Sequence, residues 1–313
     1  MILKDNKLVH YNSNGKEELN IDVQISNPII DINNRFLIIG EKDKQKLYLI
    51  SNGNKIWEKD EKDIEGNITR VCVNKNGYSA IILSGTTHKS VIELFDASGK
   101  KLFRTYLSNT MALDVDISND NKYMSFAELN TNGTKISSSI KTISIEKAKD
   151  NSSDSIVNIY ETKQDSLALN IKYQDQNKLI CMYDTNVNLN KDGNETELIS
   201  KEEMIKNSFI DIELNNNIVK VADKSSFFVS KSDIEIININ NKNASLYMID
   251  GVVKQIYCFD SKIALNLGTE VHFIGTNGWL IKKYTSKQEI KDIVICNDFA
   301  GIVYRNKMEI VNL

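Results

Sequence analysis

VIELFDASGKKLFRTYLSNTMALDVDISNDNKY, residues Val91 to Tyr123, decides the fold because it holds two different turn signals, each set between alternating apolar strands. The first, Asp96-Ala97-Ser98-Gly99-Lys100, joins two strands through a glycine able to supply the positive φ of a tight hairpin. The second, Ser118-Asn119-Asp120-Asn121, joins two more. Four strands connected in this way make most of one antiparallel blade.

Both signals recur. The glycine turn returns at His10 to Lys16, Leu49 to Lys55 and Phe273 to Trp279; Gly15, Gly53 and Gly99 lie 38 and 46 residues apart. The second signal, an apolar-polar-apolar triplet closed by a polar turn, occurs seven times: Ile30-Asp31-Ile32, Val71-Cys72-Val73, Val115-Asp116-Ile117, Ile171-Lys172-Tyr173, Ile212-Glu213-Leu214, Ile256-Tyr257-Cys258 and Ile293-Val294-Ile295. Steps between the turns run 42, 44, 56, 40, 44 and 38 residues, the period of propeller blades. The expected architecture is therefore all-β: a single domain over residues 1–313, a seven-bladed β-propeller of four-stranded antiparallel blades. The N- and C-terminal strands are expected to share one blade and close the ring. The long step marks an enlarged third blade, about residues 110–163, with a polar loop from Ala148 to Ser155. Asn186 to Glu197 reads as a second polar excursion, and Lys201 to Asn207 as the one helical turn.

Composition narrows the function classes. With 39 basic against 42 acidic side chains the net charge is -3, which leaves no long-range positive field to collect nucleic acid. Cys72, Cys181, Cys258 and Cys296 are dispersed, each inside an apolar run, and read as buried free thiols. Calcium-loop spacing fails across Asp184 to Asp192, and His10, His88 and His272 fall in separate repeats. No run of about 18 apolar residues is present. Ile2 to Val9 already reads as strand, turn and strand, so any leader is expected in a removed upstream segment.

The turns Ser118 to Tyr123 and Asp96 to Lys100 resemble those of bacterial WD40-like and quinoprotein-like β-propeller repeats. The stretch ALDVDISNDNKYMSFAELNTNGT, and the chain as a whole, resembles a propeller family of unknown function from low-GC, Clostridia-like Gram-positive bacteria. That resemblance implies a propeller held outside the membrane by an N-terminal anchor; a cytoplasmic interaction protein is the alternative. Trp57 and Trp279 are not followed by Asp, and no vicinal cysteine pair is present, so neither WD40 signatures nor quinone chemistry is carried over.

No catalytic, cofactor-binding or metal motif stands out, and no cofactor is expected. The repeats do align one position, the residue before each triplet. Arg70, Asp114, Asn170, Asp211, Gln255 and Asp292 fall there and are expected to converge at a channel mouth as a ring for a ligand or partner, or as residues bonded between blades. Middle residues of the triplets, among them Asp31, Asp116, Lys172 and Glu213, include opposite charges and are expected to pair between blades. The leading reading is a non-enzymatic scaffold that recognises a protein or glycan. The alternative is a channel-mouth enzyme, a metal-assisted hydrolase or lyase using Asp114, Asp211 and Asp292.

Overall fold

The computed structural model describes residues 2–4, 6–12, 14–60, 64–85, 87–132, 136–150, 155–161 and 166–313. Among them the chain folds into eight consecutive antiparallel sheets, six of four strands and two of three, and in every sheet the strand order follows the sequence. The sheets begin at Ile2, Pro28, Asn67, Thr110, Ala168, Phe209, Gln255 and Asp292. Two compact units divide them: residues 1–11 with 17–197 hold the first five sheets up to Glu197, and 12–16 with 198–313 hold the rest.

The expected seven blades are thus eight. All seven predicted inner hairpins form, but Ile2–Lys4 pairs with Lys7–Tyr11, Ile2 opposite Val9, and Lys7–Tyr11 pairs with Glu17–Asp22. Asn6, held at φ 61°, supplies the left-handed residue that closes this extra hairpin. The C-terminal strands Asp292–Ile295, Phe299–Val303 and Met308–Asn312 make a separate sheet, so the two chain ends do not share a blade.

Stacking of successive sheets is what makes the alternating strands stable. In the first unit, Leu8 and Val23 of the first sheet region meet Leu37, Ile39 and Tyr48 of the second. Ile38, Leu49 and Trp57 meet Val71, Ile81 and Phe95 of the third, while Ile82 and Leu94 meet Val115 and Phe126 of the fourth. Ala127 and Ile140 then meet Ile171 and Cys181 of the fifth. The second unit repeats the scheme: Val219 and Ile234 pack on Ile263 and Leu265, and Ala264 and Phe273 on Ile293 and Ile302. A central strand of a sheet stacked on both sides buries one face against the preceding sheet and the other against the following one, so the apolar run Phe36–Glu41 is buried throughout.

The enlarged blade is the fourth sheet. Its insertion contains a helix, α1 (Ile145–Asp150), that the periodicity does not reveal because it is barely more than one turn long. Ile145 and Ala148 drop from α1 into the core between the third and fourth sheets, which ties part of the insertion to packing. Of the expected loop, residues 151–154 lie outside the described residues. The excursion Asn186 to Glu197 is no loop: Val187–Lys191 and Asn194–Ile199 are the outer strands of the fifth sheet, joined at Asp192-Gly193 with φ 52° and 80°. Its asparagines mask a strand, Asn188 and Asn190 being buried. The expected helical turn is present as α2 (Lys201–Lys206).

The outer turns dock onto the neighbouring sheet. Asp96 Oδ1 accepts the N–H groups of Ser98 (2.9 Å) and Lys100 (3.0 Å), and Gly99 follows at φ 84°. A Cβ on Gly99 would lie 2.8 Å from Trp57 Cγ of the second sheet, whereas one on Gly15, at φ 75°, meets open space. Gly99→Ala is accordingly expected to cost about 3 kcal/mol, backbone strain plus displacement of the Trp57 ring, and Gly15→Ala only about 1 kcal/mol. Urea denaturation of both variants measures the difference; equal losses would remove the packing role.

Candidate functional site

Innermost strands of the first unit are tied together by carboxylates that reach across to the next sheet. Asp31 Oδ2 accepts the N–H of Val73 at 2.8 Å, Asp114 Oδ2 that of Ile171 at 2.9 Å, and Asp116 Oδ2 that of Tyr173 at 2.6 Å. Asp116 also receives the Cys72 thiol at 3.1 Å, with Lys172 Nζ 4.0 Å away. Of the sequence-predicted site residues, the structure brings Arg70 and Asp114 together, Nε to Oδ1 2.8 Å, across the third and fourth sheets. Asn170 lies within strand Ala168–Gln174, immediately before the Ile171 whose N–H Asp114 accepts. The charge pairing expected between triplets is present at Asp116 and Lys172, but its larger part is carboxylate to backbone amide.

In the second unit Gln255 and Asp292 open their sheets' first strands, whereas Asp211 ends its own, Phe209–Asp211. Gln255 Oε1 accepts from Tyr257 Oη (3.0 Å) and Asn266 Nδ2 (2.9 Å), and Asp292 Oδ1 from Ile293 N (2.8 Å). Asp211 Oδ1 accepts from Glu213 N at 2.9 Å, and its carboxyl is pushed up by burial and by the nearby Glu213. Cys258 faces Asp211 as Cys72 faces Asp116, and burial followed by that carboxylate raises its thiol. Among the described residues no group of three or more His, Cys, Asp and Glu side chains is arranged to hold a metal ion.

Sequence reasoning missed a different constellation. Glu93, 0% exposed in the core strand Ser90–Phe95, lies directly opposite Arg104. Its carboxylate binds the Arg104 guanidinium and Lys101 Nζ (3.0 Å). Arg104 Nη1 reaches Tyr106 Oη at 3.2 Å and Glu65 at 3.3 Å. Burial opposes its charge, but the Glu93 carboxylate more than offsets this and holds the guanidinium above its usual value. His88 donates to or accepts from Ser108 Oγ through Nδ1 at 2.9 Å and sets its ring 4.7 Å from that of Tyr106. Arg104, Lys101, Tyr106, His88, Asn67 and Gln45 line an open cleft of about 590 Å³ within the first unit. One signal was available: an acid in the otherwise apolar run VIELF must be buried with a cation. A smaller groove of about 400 Å³ lies on the fourth sheet, where Glu128 binds Lys141 (2.6 Å), Thr110 (2.9 Å) and Ser139 (3.0 Å).

A family model matches residues 1–313, that of a family of unknown function (DUF5711). Among curated proteins none matches the sequence. Similar solved structures include hydrazine synthase from Kuenenia stuttgartiensis, 9% identical over 94% of this chain and 97% of that one, with a TM-score of 0.57. BamB from Moraxella catarrhalis is 11% identical over 95% and 85%, with a TM-score of 0.50. Apo AztD from Citrobacter koseri is 10% identical over 88% and 76%, with a TM-score of 0.52. At such identities the likeness is one of fold, and it supports the β-propeller architecture.

Asp114 gives the inner strands a pH signature. Burial, against the pull of Arg70 and the Ile171 N–H, raises its carboxyl from 3.8 to about 6. A group whose folded value is raised takes up protons on folding between those two values, so its contribution to stability falls as pH rises from about 4 to about 6. The stability of Asp114→Asn relative to the parent should therefore increase across that window, by an amount on the order of 3 kcal/mol, and stay level above it. Urea midpoints at a series of pH values test the sign; a relative stability that drops with pH would contradict it.

Proposed function

The chain belongs to DUF5711, which supplies no activity to start from, and we propose that it is a non-enzymatic binding module whose first-unit cleft takes a hydroxyl-rich, glycan-like ligand. The observation that carries this reading is the arrangement over Glu93. A wholly buried carboxylate locks Arg104, and Arg104 in turn holds the Tyr106 hydroxyl, so that cation and aromatic face the cleft in fixed positions before any ligand arrives. Such preorganisation lowers the entropic cost of binding.

The chemistry of the lining favours a sugar over a charged metabolite or an apolar side chain. The two cations at the floor, Arg104 and Lys101, are matched by Glu93 and Glu65, leaving no net field for an anion. Gln45, Asn67, Ser84 and Thr87 supply donors and acceptors in both senses, which vicinal hydroxyls can meet. The tilted Tyr106 and His88 rings offer a face for the C–H side of a pyranose. In this reading Asp114 and its aligned neighbours serve the packing of sheets. A place at the cell envelope, implied by the family resemblance, belongs to the same reading and is testable by fractionating cells.

Titration of the purified chain with a panel of soluble neutral and acidic oligosaccharides is the direct experiment. Tyr106→Ala and Asn67→Ala should each weaken binding by about tenfold, equivalent to about 1.4 kcal/mol, without a shift in thermal midpoint. Arg104→Ala also leaves the buried Glu93 with Lys101 in place of two cations and should cost about 2 kcal/mol or more of stability, so it serves as the check on the locked arrangement. A parent chain that binds no oligosaccharide of the panel would overturn the reading.

A further inference from the structure

The second unit carries a surface feature that neither packing nor the cleft requires. Strands Asn217–Asp223 and Ser232–Asn238 are joined by Lys224-Ser225-Ser226-Phe227-Phe228-Val229-Ser230-Lys231. Phe227 and Phe228 at its apex are 94% and 91% exposed, and Val229 beside them is exposed as well. The tip is nonetheless fixed. Ser226 N donates to Val229 O (2.7 Å), Lys224 N to Lys231 O (2.8 Å), Lys231 N to Ser225 Oγ (3.1 Å), and Ser225 N to Asp223 Oδ1 (2.8 Å). The phenylalanine rings meet edge to face, 5.0 Å apart.

Two aspects of this hairpin run against the economy of folding. Exposing two adjacent phenylalanines gains the fold nothing and promotes association. Placing Lys224 and Lys231 directly across from one another is mildly destabilising, since like charges repel. No acid stands between them in sequence; of the carboxylates at the base, Asp223 is engaged with Ser225, Asp233 lies two residues past Lys231, and Asp250 follows Ile249, the residue paired with Ser232. The eight residues therefore carry two positive charges on a chain whose net charge is -3.

We propose that this hairpin is a membrane-docking tip that inserts Phe227 and Phe228 into the surface of an anionic phospholipid bilayer. The order of groups along the tip is the argument for a bilayer over a pocket in another protein. From apex to base it presents aromatic rings, then the serine hydroxyls, then paired lysines, the order in which a leaflet presents acyl chain, ester carbonyl and phosphate. A narrow convex hairpin that stands clear of its own unit enters a leaflet without needing a shaped partner. Lys206, which ends α2 two residues before Ser208, adds a third cation at this end of the sheet, because Ser208 N donates to Val221 O (2.7 Å). The phosphate attraction supplies long-range capture and the rings supply depth. This proposal does not rest on the glycan reading, whose cleft belongs to the other unit, and either can fail alone.

Vesicle flotation of the full chain tests it. The parent should float with vesicles of phosphatidylcholine mixed with phosphatidylglycerol, less with phosphatidylcholine alone, and progressively less as salt is raised. Phe227→Ser with Phe228→Ser should reduce the floated fraction at least about tenfold with no change in thermal midpoint, because both rings are solvent-exposed in the parent. Lys224→Ser with Lys231→Ser should abolish the preference for the anionic vesicles and leave the weaker binding to phosphatidylcholine. A parent that floats with neither vesicle overturns the proposal. So does a double phenylalanine variant that floats like the parent, and so does a tip that captures a protein while leaving vesicles free.

Discussion

In the first unit the innermost strands Asn67–Val73 and Ala168–Gln174 carry backbone N–H groups that face the preceding sheet and find their acceptors there, outside their own ladder. Asp31, Asp114 and Asp116 provide them, at Val73, Ile171 and Tyr173. The consequence is positional: a carboxylate that accepts one amide from the next sheet fixes the height at which that sheet sits, so Ile38 and Leu49 meet Val71 and Ile81, and Ala127 and Ile140 meet Ile171 and Cys181, in register. Hydrophobic burial supplies most of the stabilisation, but apolar surfaces tolerate sliding; directional bonds do not. Asp116 adds a second link of the same kind in the other direction, through Cys72.

The outer rim solves a related problem with different groups. There the hairpin turns after Tyr11 and Phe95 are closed by a side-chain acceptor at their first residue, Asn12 or Asp96, each holding the N–H groups two and four residues on. Gly99 completes one such turn and lies flat against Trp57. Inner carboxylates and outer turns together pin a blade at both ends, and the insertion that makes the fourth sheet long adds α1 over its core.

Much of this was legible in the sequence, and the exceptions have physical causes. The seven inner hairpins announce themselves because a polar turn between apolar triplets has few other uses. The eighth sheet did not: Ile2 to Val9 reads as strand, turn and strand, but it was joined to the C-terminal strands in one blade, and the pairing shows it instead to be the start of a sheet of its own. Asn188 and Asn190 hid a strand, because buried asparagine reads as loop when its partners are unknown. At the site, alignment put Arg70, Asp114, Asn170, Asp211, Gln255 and Asp292 in the first strands of their sheets, of which only Gln255 and Asp292 open the strand. It could not show that Asp114 spends its oxygens on Arg70 and a backbone amide, since amides carry no signature in a sequence. The Glu93 cluster was readable in principle from one acid in an apolar strand, and the phenylalanine tip from two aromatics between lysines, once neither could be assigned to a core.

Cys72 and Cys181 sit at the heart of two different sheet-to-sheet cores, and burial pushes both thiols well above their ordinary range, in the case of Cys72 with the Asp116 carboxylate adding to the effect. A thiol kept protonated and out of reach reacts with an alkylating reagent only when its pair of sheets parts. The two cysteines are therefore native gauges of breathing, one between the third and fourth sheets and one between the fourth and fifth. Their separate modification rates would show whether neighbouring blades open singly or as one cooperative block.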